Sequence, residues 1–224
     1  MGVLIAVFIM FFWLAHLVYI LLNVPVALDN PWMYVHIFIQ AYLYTGLFIT
    51  GHDAMHQLVS KNKSVNNFIG YAAVFLFAGM SYKKLFKNHW EHHKYPGSEK
   101  DPDFYTRSQN FWAWWFMFMV RYTTIWQLLA MAVIFNILYR LVGLEVPSLL
   151  VLWIVPAFLS TFQLFYFGTF LPHRRPHTEE MGKHRARTLK KNHLWAMLSC
   201  YFFGYHYEHH ASPGTPWWQL YRMK

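Results

Sequence analysis

The chain has 224 residues, of which 56% are hydrophobic, 21% aromatic and only 13% charged. Soluble domains carry about 25% charge, and the apolar runs here approach the ~20 residues that cross a bilayer, so a soluble globular protein is excluded and a single membrane-embedded unit over 1–224 is expected. The formal charge of +9 does not signal nucleic acid: of 19 Lys and Arg, nine lie between Gln57 and Arg121, nine follow Leu171 and Arg140 stands alone, a pattern the positive-inside rule explains in a chain without a nucleic-acid-binding motif.

In chain order, 3–24 reads as a first span, retained and not a signal peptide because no small-residue cleavage site follows it. Asn23 to Pro31 is a turn without Lys or Arg and faces away from the cytoplasm. The second span, 32–50, delivers His52 and His56 at its cytoplasmic end. Val65 to Met80 is apolar for 16 residues but has lysines on both flanks, which favours a re-entrant or interfacial helix. The Trp-rich stretch Phe111 to Val120 lies in the interface, and 122–142 is the third span. After a tight turn at Gly143 to Pro147 comes the fourth span, 148–170. The fold class is thus all-α: four transmembrane helices under a histidine-rich cap formed by cytoplasmic segments 51–121 and 171–224. The lone Cys200 rules out an internal disulfide and a thiolate metal site, and reads as a small buried apolar residue.

The histidines carry the chemistry. Two near-identical pentads, His89-Trp-Glu-His92-His93 and His206-Tyr-Glu-His209-His210, flank the later apolar half, and His52-Asp-Ala-Met-His56 precedes both. At this histidine content a chance HxxHH arises at about one in four thousand start positions, so the repeat is informative. Positions i, i+3 and i+4 share one helix face, and each cluster can aim its imidazoles at one point. Eight imidazoles exceed the needs of one tetrahedral zinc. A nitrogen-rich, thiolate-free pair of metals beside an apolar cavity points to iron and oxygen chemistry. His173 leaves the fourth span at the depth where His52 and His56 emerge, and is expected as a ninth ligand. His16 and His36 read as packing residues within spans, His177 and His193 as solvent-exposed loop residues. Asp53, Glu91 and Glu208 fall between ligands and point off the ligand face, where carboxylates can orient metal-bound imidazoles. Asp101 and Asp103 either do the same or cap a helix start.

The set Gly51-His-Asp-Ala-Met-His56, His92-His-Lys-Tyr-Pro-Gly97, Asp101-Pro-Asp-Phe104, Phe167-Gly-Thr-Phe-Leu-Pro-His-Arg174, Glu208-His-His and Pro216-Trp-Trp218 resembles the bacterial and algal β-carotene ketolases, within the membrane fatty-acid desaturase and hydroxylase superfamily. The resemblance runs from about Gln40 to Trp218. The histidine boxes alone specify only the superfamily; the Leu-Pro-His-Arg and Pro-Trp-Trp segments sharpen it. It implies a non-haem di-iron oxygenase of the bacterial inner membrane that uses O2 to oxidise C4 of a β-ionone ring twice, through a geminal diol that loses water to the ketone. It further implies a β-ring carotenoid as substrate and an external electron donor such as ferredoxin with its reductase. Where relatives often carry extra histidines this chain has Tyr95, Tyr105 and Tyr207, all outside the ligand pattern. Desaturases place an Asn four residues before the isolated ligand histidine, where this chain has Thr169, an expected neighbour of the metals. A lipid desaturase or hydroxylase, another carotenoid ring hydroxylase, and a non-catalytic membrane metal-binding protein are the alternatives.

Overall fold

The computed structural model describes residues 1–224. It is all-helical, without strands. Helix α1 (Gly2–Asn23) leads to α2 (Pro31–Met55), α3 (Lys63–Ala78), α4 (Tyr82–Lys94), α5 (Phe111–Tyr122) and α6 (Ile125–Arg140). A long helix, α7 (Val146–His173), follows. The short α8 (His193–Cys200) and α9 (His206–Ala211) follow, with 3-10 turns at Glu179–His184 and Trp217–Arg222.

Local chemistry sets the helix starts. Asn30, Asn62, Ser81, Asn110, Thr124 and Asn192 each accept a backbone N–H in the first turn of the helix they precede, satisfying donors that have no helical partner. Gly79 ends α3 at φ 64°, a left-handed conformation suited to glycine, and the chain then turns by 102° into α4.

Three helices, α1, α2 and α7, are long and apolar enough to cross a membrane. The boundary that the sequence places between an interfacial segment, 111–120, and a third span, 122–142, falls in the structure at Thr123 and Thr124. The segment breaks at Thr123 and Thr124, which are extended, and α5 and α6 meet at 85°. A threonine that caps the next helix cannot at the same time continue the previous one. The 16 residues of α6 rise only about 24 Å, short of a ~30 Å hydrocarbon core. Two other bounds also move: α2 runs on to Met55, so His52 lies inside the helix, and α7 extends to His173.

Helix α2 is central. It packs closely on α3 because Gly51 and Gly70 leave room: a Cβ on Gly51 would sit 2.4 Å from Val74 of α3, and one on Gly70 would sit 2.9 Å from the Ala54 Cβ of α2. Against α7 it makes a buried polar tie, in which Thr45 bonds Ser160 at 2.8 Å and Gln163 at 2.5 Å. Against α1, Gln40 bonds His16 at 2.6 Å and His16 bonds His36 at 3.1 Å, so both span histidines are paired packing residues. Cys200 is fully buried in the main apolar core.

Helix α7 has two wide, π-type turns, Leu149–Ile154 and Tyr166–Phe170. Each precedes a proline, Pro156 or Pro172, whose ring lacks an N–H and presses on the carbonyl four residues back. Those carbonyls belong to Leu152 and Gly168, within the wide turns. Such turns insert a residue and re-aim the side chains that follow; here His173 lies three residues beyond the end of the second one.

Candidate metal centre

The helices bring the predicted imidazoles into two adjoining groups. His52, His56, His89 and His209 form one; His92, His173, His206 and His210 form the other; in each, the ligand nitrogens lie within 4.8 Å of one another. Each pentad therefore divides between the groups, because i and i+3 or i+4 are adjacent yet not coincident on a helix. His56 Nε2 is 2.6 Å from His89 Nε2. His92 Nε2 is 3.0 Å, and His206 Nε2 3.1 Å, from His210 Nε2. His93 joins neither group of four. It lies between them, with Nε2 2.9 Å from His209 Nε2 and its ring stacked 4.3 Å from that of His210.

His173 supplies the clearest test of whether a metal fits. Its Nδ1 donates to the Arg185 carbonyl at 2.9 Å, which can only accept, so the proton is on Nδ1 and the Nε2 lone pair is free. That Nε2 is buried without any partner, as is Nε2 of His52. A buried, unpaired acceptor is costly, and an ion held by Nε2 removes the cost. His92 is set the same way: its Nδ1 donates to both Asp101 oxygens at 3.0 Å, leaving Nε2 toward the group. Such carboxylate–histidine pairs fix tautomer and orientation in metal sites. Burial, then neighbouring imidazoles, push His56 and His93 down to about 2. Burial opposes charge on His92 too, but Asp101 outweighs it and raises His92 to about 9, so metal uptake there displaces a proton. The donor set is nitrogen only, which suits iron, zinc or copper.

The carboxylates separate into different roles. Asp101 accepts His92 Nδ1 and the backbone N–H groups of Gly97 (2.7 Å) and Asp103 (2.8 Å). Asp103 accepts the Tyr122 hydroxyl and places its other oxygen 3.9 Å from His92 Nδ1. Asp53 accepts the Trp217 N–H at 3.1 Å, anchoring the C-terminal segment to α2, with His52 Nδ1 3.8 Å away. Glu208 is buried off the ligand face with Oε2 unpaired. Glu91 is not brought into the centre; it pairs with Lys87 at 3.9 Å on the exposed side of α4. His177 is not the free loop residue expected. It is half-buried, packs over Gly97 and donates to the His173 carbonyl at 3.0 Å. His193, though exposed, bonds the Tyr205 hydroxyl at 2.9 Å. His184 lies with its ring 5.8 Å from that of His210.

Beside the two groups lies an apolar cavity whose empty space, counted out to its open mouth, is about 910 Å3. His52, His89, His92 and His206 form its inner end, with Thr169, Gly168 and Phe203; Phe48, Leu164, Phe165 and Met80 line its length. Sequence reasoning missed Tyr122, Gly168 and Phe203, since nothing in their local pattern marks them as cavity residues.

Comparison with known proteins decides the family. Residues 29–137 and 121–224 match the family model for Fatty acid desaturase. The chain belongs to this family. It is 42% identical over 183 residues to a zeaxanthin 4-ketolase of Chlamydomonas reinhardtii, covering 80% of this chain and 41% of that protein. It is 39% identical over 186 residues to beta-carotene 4-ketolase 3 of Haematococcus lacustris, covering 80% of this chain and 58% of the relative. A beta-carotene ketolase of Paracoccus sp. (strain PC1) is 38% identical over 185 residues, covering 82% and 75%. The chain thus spans about half the length of the algal relatives and three quarters of the bacterial one. No solved structure matches it.

Proposed function

We propose that this chain is a β-carotene 4-ketolase. It would oxidise C4 of the β-ionone ring twice, converting β-carotene to echinenone and then canthaxanthin, and zeaxanthin toward astaxanthin. The observation that carries this reading is the opening of both histidine groups onto one apolar cavity, in a chain whose matched relatives bear ketolase names.

In this reading two irons are held by His52, His56, His89 and His209 and by His92, His173, His206 and His210, with His93 completing the first group. Bound there, iron would supply the O2-dependent oxidation of an allylic C–H, which no side chain can perform. The protein orients and excludes. Asp101 holds His92, the Arg185 carbonyl holds His173, and Phe203 and Phe165 keep water from the reacting ring. Electrons come from outside the chain, from a ferredoxin with its reductase. The protein forms one unit over 1–224 with four crossings, the segments 51–121 and 171–224 lying on the cytoplasmic side of a bacterial inner membrane. Helix α6 is the short third crossing of the four, which local thinning of the bilayer accommodates.

The test is expression in bacteria that accumulate β-carotene, followed by chromatography of the pigments. Keto-carotenoids are expected. Unchanged β-carotene from folded, iron-loaded protein would replace this reading with a lipid desaturase or hydroxylase.

A further inference from the structure

Among the residues lining the apolar cavity, Asp103 is the single carboxylate. Its neighbour Asp101 is fully committed, with one imidazole and two backbone N–H groups on its two oxygens. Asp103 is not. Its backbone is clamped: the N–H donates to Asp101 and the carbonyl accepts the Trp114 indole at 2.7 Å. Its Oδ1 accepts the Tyr122 hydroxyl. Its Oδ2 has no hydrogen bond, and stands 3.9 Å from His92 Nδ1, on the side of that ring away from the metal group. The result is a rigidly held carboxylate with spare acceptor capacity, beside the His92 ring in the lining of a mainly apolar cavity. A structural anchor needs only the Oδ1 contact. An acceptor exposed to an apolar cavity is unfavourable unless what enters the cavity brings a donor.

An unsubstituted β-ring brings none. A ring that already carries one oxygen does. We infer that Asp103, held by Tyr122, accepts a hydrogen bond from the hydroxyl of the once-oxidised ring and so retains the alcohol at the centre for the second oxidation. The inference rests on the ketolase reading, and it makes Asp103 a substrate-orienting residue separate from the carboxylate that orients His92. It also explains why a channel for a hydrocarbon contains an acid whose neighbour already serves the metal ligand.

The experiment compares binding of two probes to the purified full chain in detergent: β-carotene, and β-carotene bearing one 4-hydroxyl group, each followed by quenching of tryptophan fluorescence. A hydrogen bond to a charged acceptor in a dry site corresponds to about a ten- to hundredfold change in affinity. The wild-type chain is expected to prefer the hydroxylated ring by at least about tenfold, and Asp103→Ala to bind both rings equally. In carotene-producing cells Asp103→Ala should accumulate the 4-hydroxy product at the expense of the ketone. A general loss of fold or of metal would lower both affinities together, so the ratio isolates the hydrogen bond. If Asp103→Ala does not accumulate, Asp103→Asn, which keeps the shape but weakens the acceptor, is expected to reduce the preference several-fold. No preference in the wild type, or an unchanged preference in either variant, overturns the inference. Because the binding ratio requires no turnover, absence of any oxygenated product from the wild type would refute the ketolase reading separately.

Discussion

Gly168→Ala tests how the wide turn of α7 supports the metal centre. A Cβ at this position would lie 2.0 Å from Phe203 Cε1 and 2.6 Å from Cδ1. Ordinary contact begins at 3.4 Å, so the ring must retreat by at least 1.4 Å (3.4 − 2.0). It has little room to do so. The Phe203 ring lies 5.0 Å from the His52 ring and 5.4 Å from the His206 ring, centroid to centroid, and these imidazoles belong to different groups. Overpacking of this kind costs about 1–3 kcal/mol, which for a chain of this size is a fall of about 2–12 °C in melting temperature. The larger consequence is expected in metal content, since a shift of an ångström or more in His52 or His206 spoils ligand geometry. The assay is thermal melting in detergent together with iron stoichiometry. Gly214→Ala is the control, because a Cβ there meets nothing within 4 Å. Gly168→Ala/Phe203→Leu should recover part of both readouts, as expected for two residues in contact. A Gly168→Ala protein with unchanged melting temperature and full metal would refute the reasoning.

Further outcomes follow from the same geometry. His173→Ala should lower iron content and abolish ketolation while the protein still inserts. His177→Ala, which removes a bond to the His173 carbonyl and some packing over Gly97 but no metal-facing nitrogen, should cost less; the reverse order would remove His173 from the ligand set. Stability of the metal-free protein should fall with acid. His56 and His93 are depressed to about 2 in the fold, so the unfolded chain binds more protons below its ordinary imidazole range near 6.5, and the stability present above about 6.5 is lost progressively toward the folded values. Melting temperature that holds level from pH 7 to pH 5 would contradict this. Reporter fusions after Lys63, Lys100 and Lys224 should all report the cytoplasm, and one after Asn30 the opposite side; a non-cytoplasmic signal at Lys100 would mean that α3 crosses the membrane.

Much of the chemistry was legible in the sequence, because it depends on local spacing. The i, i+3 and i+4 positions of the pentads are fixed by helix geometry, so a shared helix face for the imidazoles of each pentad followed from order alone. The apolar lengths of α1, α2 and α7 follow directly from composition, and His173 was placed by its position at the end of a span. What the linear order could not decide is whatever depends on the angle between elements. The division of each pentad between two groups requires knowing how α4 meets α9. The break at Thr123 and Thr124 turns on whether a capping threonine or the surrounding hydrophobicity prevails. Asp101 and Asp103, two residues apart in one loop, were equivalent on paper. Only the packing of α5 across that loop, through Trp114 and Tyr122, turns Asp101 to the imidazole and Asp103 to the cavity. Gly168 and Phe203 meet across 35 residues for the same reason. Ligand identity is a property of side chains at short range; the cavity that gives the ligands a substrate is a property of helices held at fixed angles by long-range packing.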